Sequence, residues 1–191
     1  MELSSLAGLA LISGTIIVYV GFGSFPSRIY TESNVAVKEG LIESDPRRWR
    51  ISQALVALGS MVSVAGLALV TVLMQGLAGA ALAWVGLVAV IPGLLFWVWH
   101  LALRVVSPQD FARGELPRWH YYAYSVLTLA GLAAYGIAFW IEGSTPLFGI
   151  GLTFGAAVVL VLLYVFKSMP PFVYYALTLA IGLMLLIREV F

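Results

Sequence analysis

Two histidines, His100 and His120, each lie beside tryptophan in a chain without cysteine, as Trp97-Val98-Trp99-His100 and Trp119-His120-Tyr121. Two imidazoles held at one depth on neighbouring antiparallel segments can ligate a haem iron from both sides. The pair is therefore a candidate bis-histidine site. The competing reading is an interfacial ring that packs on apolar neighbours and points its nitrogens at polar groups. Carboxylates offer less. Glu142 stands alone beside Gly143, and acid–base chemistry needs a partner group. Asp110 and Glu115 carry oxygen ligands suited to a metal, but they lie among Arg113 and Arg118, where solvated ion pairs are the simpler expectation. No nucleophile, base and metal constellation is present, so the chain is read as non-catalytic, with no metal site and no cofactor assigned.

A third chemistry is hydrogen bonding away from water. Tyr121, Tyr124, Thr128 and Tyr135 are spaced by three, four and seven residues and share one helical face. Their hydroxyls need partners inside a bilayer, so the face points at other helices or at a cavity. It can equally consist of tyrosines bonded to neighbouring backbone within an interfacial belt. Pro92-Gly93 falls near the middle of another apolar run, where proline removes a helical hydrogen bond from the Val88 carbonyl and bends the axis. Transporters build sites at such breaks, though a packing kink explains one equally well, and no second broken run matches it. Pro92, Trp97, His100, His120, Tyr121, Tyr124, Thr128 and Tyr135 together make the candidate ligand-binding surface, suited to a small apolar ligand.

The elements that must position these residues are transmembrane helices. Hydrophobic residues make up 62% of the 191, charged residues 10%, and the mean hydropathy is +1.01. A span needs about 20 apolar residues, and six runs qualify: about 5–25, 51–75, 77–103, 120–141, 147–166 and 172–190. The expected fold is all-α, a single polytopic helical bundle over residues 1–191. Net charge of +1 gives no field for nucleic acid. Without cysteine there are no disulfides, thiolate sites or palmitoylation. The first run starts after Glu2 rather than a basic segment and lacks a cleavage pattern, so it is expected to stay as a span.

Nine of the ten Lys and Arg residues fall in alternate gaps: Arg28, Lys38, Arg47, Arg48 and Arg50 in the first, Arg104, Arg113 and Arg118 in the third, Lys167 in the fifth. Basic residues near span ends stay on the cytoplasmic side. Loops 26–50, 104–119 and 167–171 are thus expected in the cytoplasm of a multi-pass protein of the cell membrane, with both termini external. Residues 33–44 are either a short surface helix or an irregular loop interrupted by Gly40. Three runs start at Pro46-Arg47-Arg48-Trp49, Pro117-Arg118-Trp119 and Pro170-Pro171, which read as headgroup anchors.

Small residues mark packing seams: Ala130, Ala134 and Ala138; Gly151 and Gly155, favouring an internal pair over a homodimer; and Ser52, Gly59, Ser63 and Gly66. Tyr121-Tyr122-Ala123 and Tyr174-Tyr175-Ala176 open two similar runs, by duplication or by chance. No run carries a charge deep in its span, since Glu142, Arg188 and Glu189 fall at external ends and Arg104 and Lys167 at internal ones. That argues against ion-coupled transport.

The segments PRRWRISQALVALG at Pro46–Gly59 and PPFVYYALTLAIGLMLL at Pro170–Leu186 resemble small bacterial six-helix membrane proteins grouped as a family of unknown function. The resemblance implies a helical bundle in a bacterial cytoplasmic membrane and carries no activity. The function expected is that of a non-catalytic subunit or scaffold in the lipid bilayer, with other membrane subunits as candidate partners and no nucleic acid. The alternatives are a passive permeation protein and a bis-histidine haem electron carrier.

Overall fold

Apolar runs of this length satisfy their backbone groups in hydrocarbon only by closing i to i−4 hydrogen bonds within each segment. The computed structural model describes residues 2–143, 145–167 and 171–190, the last three by backbone alone. The described residues form nine helices and no strand. These are α1 Leu3–Gly23, α2 Arg28–Thr31, α3 Val35–Ser44, α4 Pro46–Leu73, α5 Leu77–Val106, α6 Pro108–Arg113, α7 Trp119–Glu142, α8 Pro146–Phe166 and α9 Phe172–Val190. By length and composition, α1, α4, α5, α7 and α8 can cross a membrane, whereas the apolar part of α9, Phe172–Ile187, is shorter. Pro170 and the side chains of Arg188 and Glu189 lie outside the described residues.

Helix α4 begins earlier than its apolar run because Asp45 caps it, accepting a hydrogen bond from the Arg48 N–H at 3.0 Å, with Pro46 in the first turn. Helix α5 runs past its apolar stretch to Val106, about 45 Å for its 30 residues. Arg104 is therefore a helical residue, 8% exposed, and not part of a loop as its sequence position suggests. Residues 35–44 are a helix, N-capped by the Asn34 side chain, which accepts from the Ala36 and Val37 N–H groups.

Helix α1 packs antiparallel between α4 and α9, α5 packs on α7, α7 on α8, and α4 joins α5. Helices α1 and α4 approach backbone to backbone. A Cβ on Gly59 would stand 2.6 Å from the Gly14 carbonyl oxygen, and one on Gly14 would stand 2.7 Å from the Ser63 nitrogen. Ser52, on the same face, donates from its hydroxyl to the Gly21 carbonyl at 2.8 Å. Ser52, Gly59, Ser63 and Gly66 thus form one buried seam, as their spacing anticipates. The fifth run behaves differently. Gly151 faces open space and Gly155 meets only Leu177, while Gly149 takes the close contact with Gly136 and Trp140 of α7. This run contains small pairs in two registers, and the packing uses 149 and 153. The alanine stripe is also incomplete, since Ala134 and Ala138 are buried but Ala130 is exposed.

One end of the bundle carries a small second core, in which Phe25, Ile29, Ile42 and Trp49 are buried against Leu41 and Phe111. Helices α2, α3 and α6 form this cap. Trp49 is consequently 1% exposed and donates its indole N–H to the Arg104 carbonyl at 3.0 Å, rather than sitting in headgroups. Trp119, more than half exposed, keeps the position of an anchor. Arg113 pairs with Glu39 of α3 at 3.2 Å, not with Asp110 or Glu115. Glu32 accepts from the Asn34 N–H and pairs with Arg28 at 2.7 Å, and these contacts, the N–H first, hold its carboxyl below the usual range. Tyr122 donates to the Lys167 carbonyl at 2.7 Å, which brings the third basic gap to the same end. At the other end, Glu142 accepts from the N–H groups of Gln75 and Gly76 at 3.1 and 3.0 Å. That carboxylate, solitary in the sequence, closes the N-terminus of α5, where negative charge is favourable.

Gly59→Val should cost about 1–3 kcal/mol, the usual range for forced overpacking, read as a lower melting temperature in detergent. Gly151→Ala should leave the melting temperature unchanged or slightly higher, because alanine is the better helix former; comparable losses at both positions would contradict this packing.

Candidate functional site

Hydroxyl groups facing inward from α1, α4, α7 and α9 converge in the middle of the bundle. Tyr175 is the junction. Its hydroxyl lies 2.5 Å from the Ser60 hydroxyl of α4 and accepts from the Tyr124 hydroxyl of α7 at 3.1 Å. Its carbonyl accepts from Thr15 of α1, whose hydroxyl also lies 3.1 Å from that of Thr178. Toward the capped end, Tyr121 and Tyr174 meet hydroxyl to hydroxyl at 3.2 Å. Toward the opposite end, Tyr135 donates to the Leu67 carbonyl at 3.0 Å and lies 2.6 Å from the Thr71 hydroxyl. The tyrosine face of α7 therefore points at other helices, and its hydroxyls reach side chains across the bundle.

The two Tyr-Tyr-Ala segments are brought together here, since Tyr121 and Tyr124 meet Tyr174 and Tyr175. The sequence shows these segments, but their likeness alone gives no sign that they touch. Ser60, Thr71 and Thr178 each bond a carbonyl of their own helix and, in addition, a hydroxyl of another.

Beside this junction, Ser60, Ser63, Leu67, Val90, Thr128 and Thr178 help line a cavity of about 20 Å³. That is room for one water, and the buried Ser63 and Thr128 hydroxyls have no protein partner. Thr128 abuts Gly93, where an added Cβ would come within 3.2 Å of its oxygen. Pro92 does not break its helix: α5 is continuous from Leu77 to Val106. Pro92 is half-buried, and its neighbours Val90 and Leu94, not Pro92 itself, reach the cavity.

At the capped end the aromatic residues surround a cation. Trp97 is fully buried, stacked on Tyr124 with ring centres 4.7 Å apart and on His100 at 5.9 Å. Arg104 lies one turn beyond His100, its guanidinium carbon 5.4 Å from the Trp97 ring centre and 5.0 Å from that of Phe111. Its Nε and Nη1 have no hydrogen-bond partner, and no carboxylate among the described residues lies within ion-pair distance. Burying a charge costs several kcal/mol after relaxation. A desolvated cation–π contact returns on the order of 2 kcal/mol, so the two rings offset only part of that cost. Arg104 was not among the residues singled out by spacing, because it looks like one more flanking basic residue. What distinguishes it is the cap, which depends on Phe111 folding back.

His100 and His120 are both buried but have separate surroundings. His120 stacks on Trp119 and Trp99, with ring centres at 3.8 and 5.6 Å, and its Nδ1 lies 3.3 Å from the Pro117 carbonyl. His100 packs on Trp97 and has Tyr121 at 6.3 Å. Aromatic rings cover a face of each imidazole. No group of acidic, histidine or cysteine side chains among the described residues is arranged to hold a metal.

Compared with protein-family models, with curated proteins and with solved structures, the chain finds no match.

Tyr175→Phe strands the Tyr124 hydroxyl in the interior and should cost about 1–3 kcal/mol, the penalty for a buried unsatisfied group. Tyr135→Phe leaves Thr71 bonded to its own helix and should cost about 1 kcal/mol. Thermal melting of both variants checks that order.

Proposed function

We propose that this chain is a six-span, non-catalytic integral membrane protein that acts as a structural subunit or scaffold. The observation that carries the reading is the tie at Tyr175, which joins α1, α4, α7 and α9 through side chains and leaves a cavity of only about 20 Å³. An interior used in this way fixes helix positions. Helix α9 serves as the sixth span, supported by its long packing on α1. The capped end, which gathers all three basic gaps, faces the cytoplasm in this reading, and the start of α1 and end of α9 face outward. The resemblance to small bacterial six-helix proteins agrees with a bacterial cytoplasmic membrane.

Permeation of a very small polar solute is the second reading, favoured by the unpartnered Ser63 and Thr128 hydroxyls at the central cavity. Solute flux into liposomes, lost in Thr128→Val, would move the conclusion to that reading.

A subunit should leave native membranes in mild detergent with a protein partner, visible by native mass spectrometry; recovery of solitary chains would overturn the subunit reading. The orientation is tested separately, since the native chain has no cysteine. Gln75→Cys should label from outside intact cells and Gln109→Cys only after lysis. The opposite pattern would invert the assigned topology.

A further inference from the structure

We propose that Arg104 and His100, beneath the cap of α2, α3 and α6, form a binding site for one small oxyanion, a phosphate or carboxylate group. The inference goes beyond the scaffold reading and does not depend on it. Arginine stays charged in any protein environment, and here its side chain is more than nine-tenths buried. Its contacts with Trp97 and Phe111 engage the charge but accept no N–H hydrogen bond, so the Nε and Nη1 donors remain free. His100 sits four residues earlier on the same helical face, and its buried Nδ1 also lacks a partner.

From α4, Gln53 is 1% exposed and has an unpartnered amide oxygen, while its nitrogen stands 3.5 Å from the Tyr30 hydroxyl. An amide of this kind can turn to present N–H groups instead. The capped end thus holds a buried cation, an imidazole nitrogen and an amide, and no acidic side chain among the described residues pairs with the cation. An oxyanion supplies both the charge and the acceptors that these groups lack.

The cap explains entry. Phe111 belongs to the six-residue α6, bounded by Ser107 and by Gly114 in the left-handed conformation. The α6 side chain Arg113 is tied to α3 by its exposed pair with Glu39. Such a pair at a surface holds weakly, and the aromatic contacts of Phe111 with Trp49 and Tyr30 are the remaining hold, so uncovering Arg104 requires α6 to lift Phe111 off Trp49. The oxyanion can belong to a soluble molecule or to a lipid headgroup.

The test is isothermal titration calorimetry on the delipidated full-length protein in neutral detergent, with inorganic phosphate, succinate and dihexanoyl phosphatidic acid as separate probes. At least one should bind saturably at one site per chain. Phosphate or succinate binding identifies a soluble ligand, and binding of phosphatidic acid alone identifies a headgroup. Arg104→Gln should weaken that binding at least about tenfold, as expected for loss of a hydrogen bond to a charged group, whereas Arg50→Gln, an exposed control, should not. If Arg104→Gln does not fold, His100→Gln carries the same readout with a smaller loss of about threefold or more. Absence of binding by all three probes, or affinity unchanged in folded Arg104→Gln, overturns the proposal.

Discussion

Everything else in this bundle depends on the meeting of hydroxyls at Tyr175. Within hydrocarbon there is little water to take a stranded O–H, so each buried hydroxyl constrains its neighbours. Tyr175 engages Ser60 and Tyr124 with its side chain and Thr15 with its carbonyl. Four helices are therefore fixed relative to one another at one depth. Hydrophobicity gives little preference for one helix arrangement over another in lipid; these bonds and the glycine contacts of α1 with α4 supply it.

The two ends of the bundle solve different problems. At one, Glu142 of α7 closes the start of α5 with a single carboxylate. At the other, three short helices build a separate core over Trp49 and bring Phe111 onto Arg104. The cap is held by aromatic contacts and one ion pair. Charge without a counter-ion is found under that cover, and the hydroxyl core beneath it is almost fully paired.

Much of this was readable in the sequence because the bilayer imposes simple rules. Run length gave the helices, basic gaps gave a common end for three loops, and the spacing of Ser52, Gly59, Ser63 and Gly66 gave a packing seam on α4 but not its partner α1. Where rules admitted two registers, packing chose, as at Gly149 over Gly151. Contacts between distant segments were not legible: nothing local says that Tyr124 meets Tyr175. Trp49 and Arg104 were misread for a related reason. Flanking tryptophan and arginine ordinarily face headgroups, and only a loop that folds back over them can turn them inward.

The pairing of α9 with α1 has a consequence for how the protein is made. The intervening helices form two sets of neighbours close in the chain, α4 with α5 and α7 with α8, that can meet as the chain is made. Helix α1 finds α4 early but cannot complete its other face until α9 has been synthesised. The shortest of the long apolar helices thus arrives last beside a waiting surface of α1, with Thr15 already in place for Thr178 and Tyr175. Until then, the Thr15 hydroxyl must borrow a partner from lipid headgroups, water or its own backbone, and the half-built bundle carries its polar seam open to the membrane.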